Sequence, residues 1–255
     1  MPGFYDYNSS MSSTLPGERT ITFPAKRSLG ELHLIDGQGR AEFLCDAKGR
    51  VVIPSQRNLS LNFSFDPAFG LSALSELSPD DLYCISFLGS EITDDELFYL
   101  TTLSGLRELD LSCTHISDTG LTHLKGLTQL SKLNLASTAV SDIGISSLAN
   151  LVALKELALD DTGVTDLSME TIEQFSQLEI LSLSFTALSN KGLPHLRGLR
   201  RLQKLRLNCT KIDDNGLVHV QKLSQLKELW VRNCRVSYPG LVELTKWLSD
   251  CEIIR

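Results

Sequence analysis

His195 and His219 stand 24 residues apart, and His123 stands three such intervals before His195. Imidazoles recurring at one spacing are the side chains that bind zinc or relay protons, so this series is the first place to look for chemistry. On neighbouring units His195 and His219 would be close enough to touch one metal ion, which would make the chain a metal-dependent enzyme. No carboxylate or cysteine of the same series completes a ligand set, and a recurring outward polar position accounts for all three. Asp94, Asp118, Asp142, Asp166, Asn190 and Asp214 repeat at the same interval, a ladder of acceptors that would otherwise suggest calcium. The six cysteines contain no C-x-x-C; Cys113 and Cys209 lie four intervals apart. Their spacing offers neither a zinc knuckle nor a disulfide framework, and reduced structural thiols are expected. No G-x-x-x-x-G-K-[ST], G-x-S-x-G or H-E-x-x-H motif occurs. The expectation is no catalytic residue, no metal and no cofactor.

The interval belongs to a structural unit. Leucines recur every 24 residues from Leu82 to Leu226, and again from Ile85 through Leu109 and Leu157 to Leu229. A further series runs from Phe87 through Leu111 to Val231. Leu109 and Leu111 alternate as a strand does, whereas Leu121, Leu124, Leu127 and Leu130 take the three-residue step of a helix or winding coil. Each unit is thus one strand and one return segment. A unit so short cannot bury its own apolar face, so its neighbours must supply the core.

The unit L-x-x-L-x-L-x-x-T-x-I-x-D-x-G-L-x-x-L-x-x-L resembles a leucine-rich repeat of the variety found in bacterial repeat proteins and F-box adaptors, over residues 59–255. Resemblance and periodicity together imply an α/β solenoid. This is a leucine-rich-repeat horseshoe with a concave parallel β-sheet, short helices or coil on the convex side and a small β-rich N-terminal cap. The repeated aspartates then fall at the start of each return segment, where they read as helix N-caps. Gly126, Asn150 and Gly198 are types that accept positive φ and are expected to end the return helices. Ser90, Thr114, Thr138, Thr162, Thr186, Thr210 and Cys234 occupy the place where many leucine-rich repeats carry an asparagine that bonds the neighbouring unit. Gly120, Gly144, Gly192, Gly216 and Gly240 imply close packing or a tight bend that sequence alone does not specify.

Three segments are expected. Residues 1–29, rich in Ser, Pro and Gly, read as a mobile tail whose Phe4, Tyr5 and Tyr7 offer a short partner-binding motif. Residues 30–58 alternate apolar and polar side chains around glycines, as a β-rich cap. Residues 59–255 form the solenoid, opening with a degenerate repeat at Leu61 and Phe63 and ending with a last strand at Ile253, with Trp247 sealing the core. A net charge of −7 argues against general binding to nucleic acid or anionic membrane. With no signal-like or membrane-length apolar stretch, a cytoplasmic location is expected.

The informative surface is the set of strand side chains facing away from the core. Its first half and middle carry Glu108, Asp110 and Asp160; its last third carries Lys204, Arg206 and Arg232 around Trp230, with Phe185 extending the patch. A large aromatic between guanidinium groups has the composition of a binding hot spot. The expected function is a non-enzymatic protein-binding module or scaffold that recognises an acidic segment on its concave sheet. By resemblance, a substrate adaptor for ubiquitin ligation is the alternative, although no segment resembles an F-box. An architectural spacer is a third. Neither the partner nor the oligomeric state can be read from the sequence.

Overall fold

The computed structural model describes residues 17–255. Four N-terminal strands, β1 (Glu18–Thr22), β2 (Gly30–Ile35), β3 (Ala41–Asp46) and β4 (Arg50–Pro54), precede β5 (Asn58–Phe63). From there the chain advances one strand per repeat. These are β6 (Cys84–Ser86), β7 (Glu108–Asp110), β8 (Lys132–Asn134), β9 (Glu156–Ala158), β10 (Ile180–Ser182), β11 (Lys204–Arg206), β12 (Glu228–Trp230) and β13 (Glu252–Ile254).

Strands β5 to β13 are parallel neighbours in chain order, and each residue of β6 to β13 pairs with the one 24 positions before it. In β6 to β12 the central residue, such as Ile85, Leu109, Leu157 or Leu181, is buried while its two neighbours face the concave side. The sheet continues past β5 into antiparallel β2 and then β3, so cap and repeats share one eleven-stranded ladder. That continuity covers the first repeat's strand edge, which would otherwise lie open.

The expected mobile tail is corrected in its second half. β1 pairs antiparallel with β4 in a separate two-stranded sheet, and Ile21 and Phe23 are buried with Val51 and Ile53. Arg19 carries the tie further by donating from Nη1 to the Asp80 carbonyl at 2.9 Å, on the four-residue insertion Ser78–Asp81. Phe4, Tyr5 and Tyr7 lie outside the described residues.

The return segments are 3-10 or short α-helical, as their leucine step requires. Where leucines recur every third residue, as in Leu193–Gly198, a 3-10 turn puts all of them on one face. The α-helical returns are α1 (Asp118–Leu121), α2 (Asp142–Ser147), α3 (Ser168–Ile172), α4 (Asp214–Val220) and α5 (Tyr238–Thr245). Gly126, Asn150 and Gly198 do not adopt positive φ, contrary to expectation. The last turn closes instead with i to i−3 hydrogen bonds such as Leu127 N–H to Leu124 C=O at 2.9 Å, which need no left-handed residue.

The aspartate ladder is not a set of N-caps. The caps are Ser117, Ser141, Asp213 and Ser237, one residue earlier or in the same position of the turn, and each accepts from its own helix. Each aspartate instead reaches forward to the next repeat's cap. Asp118 accepts from the Ser141 backbone N–H at 2.7 Å and hydroxyl at 2.6 Å, and Asp166 does the same to Ser189 at 2.7 and 2.6 Å. At Asn190 the chemistry inverts: its amide donates to Asp213, where other repeats place a hydroxyl, at 2.7 Å.

This bridge also explains the glycines. A Cβ at Gly144 would stand 2.4 Å from the Asp118 Oδ1, and Gly120, Gly216 and Gly240 meet Asp94, Asn190 and Asp214 in the same way. The small residue leaves room for the previous repeat's carboxylate. The threonine series is corrected too, because its hydroxyls bond within their own repeat: Thr114 donates to Leu111 C=O and Thr138 to Leu135 C=O, both at 2.6 Å. Cys234 reaches across, its Sγ lying 3.0 Å from the Leu207 carbonyl and 3.5 Å from the Thr210 hydroxyl of the preceding repeat.

Trp247 does not seal the core; it is 62% exposed, and Leu248 is buried in its place. The last return is a true α-helix whose bonding continues from Leu248 N–H to Leu244 C=O. Its apolar face therefore runs Leu241, Leu244, Leu248 rather than in threes. Ile253 is the central residue of β13, as its spacing requires.

Candidate functional site

The concave sheet presents three outward columns. The column between the strand leucines runs Ser86, Asp110, Asn134, Ala158, Ser182, Arg206 and Trp230, each beside the next on neighbouring strands. Its middle is a shallow concavity of about 320 Å³, bordered by Asp110, Lys132, Asn134, Glu156, Ser182 and Arg206.

Most of the expected acidic half is already partnered. Lys132 lies 3.3 Å from Glu108 and 3.4 Å from Glu156, bridging three strands. Partial burial works against its charge, but the two carboxylates outweigh that and hold its pKa above the usual lysine range. Asp110 accepts from the Ser112 N–H at 3.0 Å and hydroxyl at 2.6 Å, and Asp160 from Ser182 Oγ at 2.6 Å and Ser184 N–H at 2.9 Å. Asp110 thus holds the chain where it leaves its own strand, and Asp160 holds the exit of the next one. Sequence reasoning singled out Glu108, Asp110 and Asp160 for their charge and passed over Lys132, whose place between two glutamates in one column was the available signal.

At the basic end, Lys204 is bound to Glu228 at 2.7 Å, and that bond, ahead of the other influences, lowers the Glu228 pKa. Neither Arg206 nor Arg232 forms a close ion pair among the described residues, although Arg206 helps to lower the Glu228 pKa from a distance. Their guanidinium carbons lie 5.8 and 5.5 Å from the Trp230 ring centroid, one on the neighbouring strand and one two residues on. Trp230 is half-buried rather than standing free; its indole nitrogen is buried, and its side chain adds to the influences that lower the Glu228 pKa. The backbone N–H of Arg232 is fixed by Asn208 Oδ1 at 2.8 Å.

Phe185 sits where the chain leaves the sheet, at a position that takes positive φ in seven successive repeats. Gly89, Cys113, Ser137, Asp161, Cys209 and Asn233 occupy it elsewhere, and Phe185 has φ 59° with 62% of its surface exposed. A bulky side chain is strained in that region. Phe185→Asn is therefore expected to raise stability by up to about 1 kcal/mol, read by chemical denaturation. An unchanged or lower stability would mean that the ring packs more firmly than its exposure shows.

The histidine series holds no metal cluster. His195 Nδ1 lies 2.7 Å from Glu173, which also accepts from Arg197 Nε at 3.1 Å. The His195 bond first, and Arg197 second, hold the Glu173 pKa low. His123 sits edge-on to Phe98 with centroids 6.1 Å apart. Among the described residues no three of His, Cys, Asp and Glu are grouped to hold an ion. All six cysteines are free, and burial pushes the Cys84 and Cys251 thiols up to about 11, away from nucleophilic chemistry. No helix among the described residues is long and apolar enough to cross a membrane.

Residues 104–163 match the family model described as leucine rich repeat. No curated protein gives a significant match. Among solved structures, an internalin from Listeria monocytogenes is similar at 20% identity and a TM-score of 0.58, the alignment covering 76% of this chain and 57% of that one. An internalin C2 from the same organism is similar at 24% identity and a TM-score of 0.60, covering 76% and 80%. This chain thus spans under two thirds of the first of these relatives, and at such identities what is shared is the fold. The match over residues 104–163, the 24-residue register that continues on either side of it and the likeness to these structures together give the chain a leucine-rich-repeat solenoid fold.

Proposed function

We propose that the chain is a non-enzymatic binding module that holds an acidic protein segment against the C-terminal third of its concave sheet. The observation that carries this is the Arg206, Trp230 and Arg232 cluster. Two guanidinium groups that form no close ion pair flank a large ring on a rigid sheet, in a protein of net charge −7. Planar guanidinium forks match carboxylates, and the aromatic adds apolar area at small entropic cost. Phe185 would extend the contact towards the rim. Glu108, Asp110, Asp160 and Lys204 act indirectly, by fixing the shape and charge of the surrounding sheet. Six unbridged thiols fit a reducing compartment, which is the ground for placing the protein in the cytoplasm.

Selection from a random displayed-peptide library on the immobilised protein tests the proposal. Sequences enriched in Asp and Glu beside an aliphatic or aromatic residue are expected, with binding that weakens as salt is raised. Arg206→Glu/Trp230→Ala/Arg232→Glu should weaken the selected peptides by about thirtyfold or more while its melting curve stays cooperative. A selection without acidic bias, or equal binding by the folded variant, would overturn it.

A further inference from the structure

Between the concave sheet and the convex helices lies a flank formed by the segments that leave each strand. Here the backbones of adjacent repeats touch through isolated parallel bridges, Ser117 with Ala139, Ser141 with Gly163, Ser189 with Lys211 and Asp213 with Arg235. The side chains pointing out of this narrow ladder change character along it. At the N-terminal end stand Glu91 and Asp95, both exposed. Two repeats on comes Ile143, 74% exposed, and in the same place on the next repeat Leu167, 71% exposed. Ala139 and Gly163 beside them leave both side chains standing clear. Lys211 and Arg235 follow towards the C-terminal end, also exposed. None of these four charged residues has an ion pair among the described residues.

The order is acidic, apolar, basic, Lys191 adding to the basic side, and its charged ends are placed evenly at Glu91 and Lys211. Glu91 lies as many repeats before the midpoint between Ile143 and Leu167 as Lys211 lies after it. A surface whose two ends carry opposite charge at equal distances from an apolar centre is complementary to itself when turned end for end. A two-fold interface requires this, since residue i must meet j wherever j meets i. We propose that this flank is a self-recognition surface on which two copies pack antiparallel, about an axis passing between the Ile143 and Leu167 repeats. Ile143 of one copy then covers Leu167 of the other, twice over, and each acidic end meets a basic one. The contact leaves Arg206, Trp230 and Arg232 uncovered, so it stands or falls independently of the concave site.

Sedimentation equilibrium of the full chain over a wide concentration range tests this. The wild type is expected to show a monomer–dimer equilibrium, abolished by Ile143→Glu/Leu167→Glu. Charge reversal gives the sharper test. Lys211→Glu/Arg235→Glu brings acid against acid at both ends, and Glu91→Lys/Asp95→Lys brings base against base, so each variant alone should dissociate at least tenfold more readily. An equimolar mixture of the two restores both attractive contacts and should form a one-to-one heterodimer. Thermal melting of each variant confirms that it is folded. A wild type that stays monomeric, a dimer indifferent to the charge reversals, or a mixture no more associated than its components would each overturn the proposal.

Discussion

Leu181→Ala is expected to lower the free energy of unfolding by about 2–5 kcal/mol, the cost of deleting a fully buried leucine without collapse of the space it leaves. Leu181 is 0% exposed and is flanked in the sheet by Leu157 and Leu205, both equally committed to the core. The surrounding backbone cannot close the gap easily, because each strand is held on both sides in lateral register. Position makes the effect larger than its magnitude suggests. In a linear stack each repeat is stabilised by its two neighbours, and a defect at β10 weakens both interfaces in the middle of the array. Urea denaturation should therefore show a lower midpoint together with a broadened or two-step transition, the halves unfolding separately. A loss under about 1 kcal/mol would contradict the assignment of Leu181 to the core.

Asp142→Ala is the second large effect. The Asp142 carboxylate accepts from the Thr165 backbone N–H at 2.8 Å, the Thr165 hydroxyl at 2.7 Å and the Ser168 N–H at 3.1 Å, and also from the Ser168 hydroxyl. Ser168 is 1% exposed, so water cannot replace the lost acceptor there. Leaving such donors unmatched should cost about 2–4 kcal/mol. The same group predicts a pH dependence. Partial burial opposes the charge on Asp142, but the Ser168 and Thr165 donors outweigh it and hold the pKa below the ordinary 3.8. A carboxyl with a lower pKa folded than unfolded adds stability that is present above the unfolded value and lost as pH falls through the folded one. Wild-type stability should thus fall as pH drops below about 4, and Asp142→Asn should narrow the difference between pH 6 and pH 3. An equal pH dependence in wild type and variant would show that the acid sensitivity resides in other carboxylates.

The repeats were legible because burial imposes a period. Every residue of the Leu109 and Leu121 series is committed to one interior, and an interior repeated every 24 positions leaves that interval in the sequence. Polar positions were legible as to place and not as to partner. Asp118 was located at a helix start, yet its bonds go to a residue 23 positions later, a distance that has no local signature. The choice between Trp247 and Leu248 turned on whether the last return winds as an α-helix or a 3-10 turn, a difference of one residue that apolar spacing alone does not resolve. β1 was missed because its partner β4 lies some thirty residues on, and an isolated ERTIT segment resembles a tail until that strand is beside it. On the concave face, charge was readable but pairing was not. Glu108 and Glu156 look available in a column and are in fact shared by one lysine.

The forward reach of the aspartates gives the array a direction. Asp118 completes the helix start of the repeat after its own, never of the one before, and the antiparallel cap supplies the finished surface on which the first parallel strand lies. Each newly made repeat therefore meets an acceptor already in place. The solenoid can be laid down in the order in which a ribosome releases it, and each added repeat presents the carboxylate that receives the next.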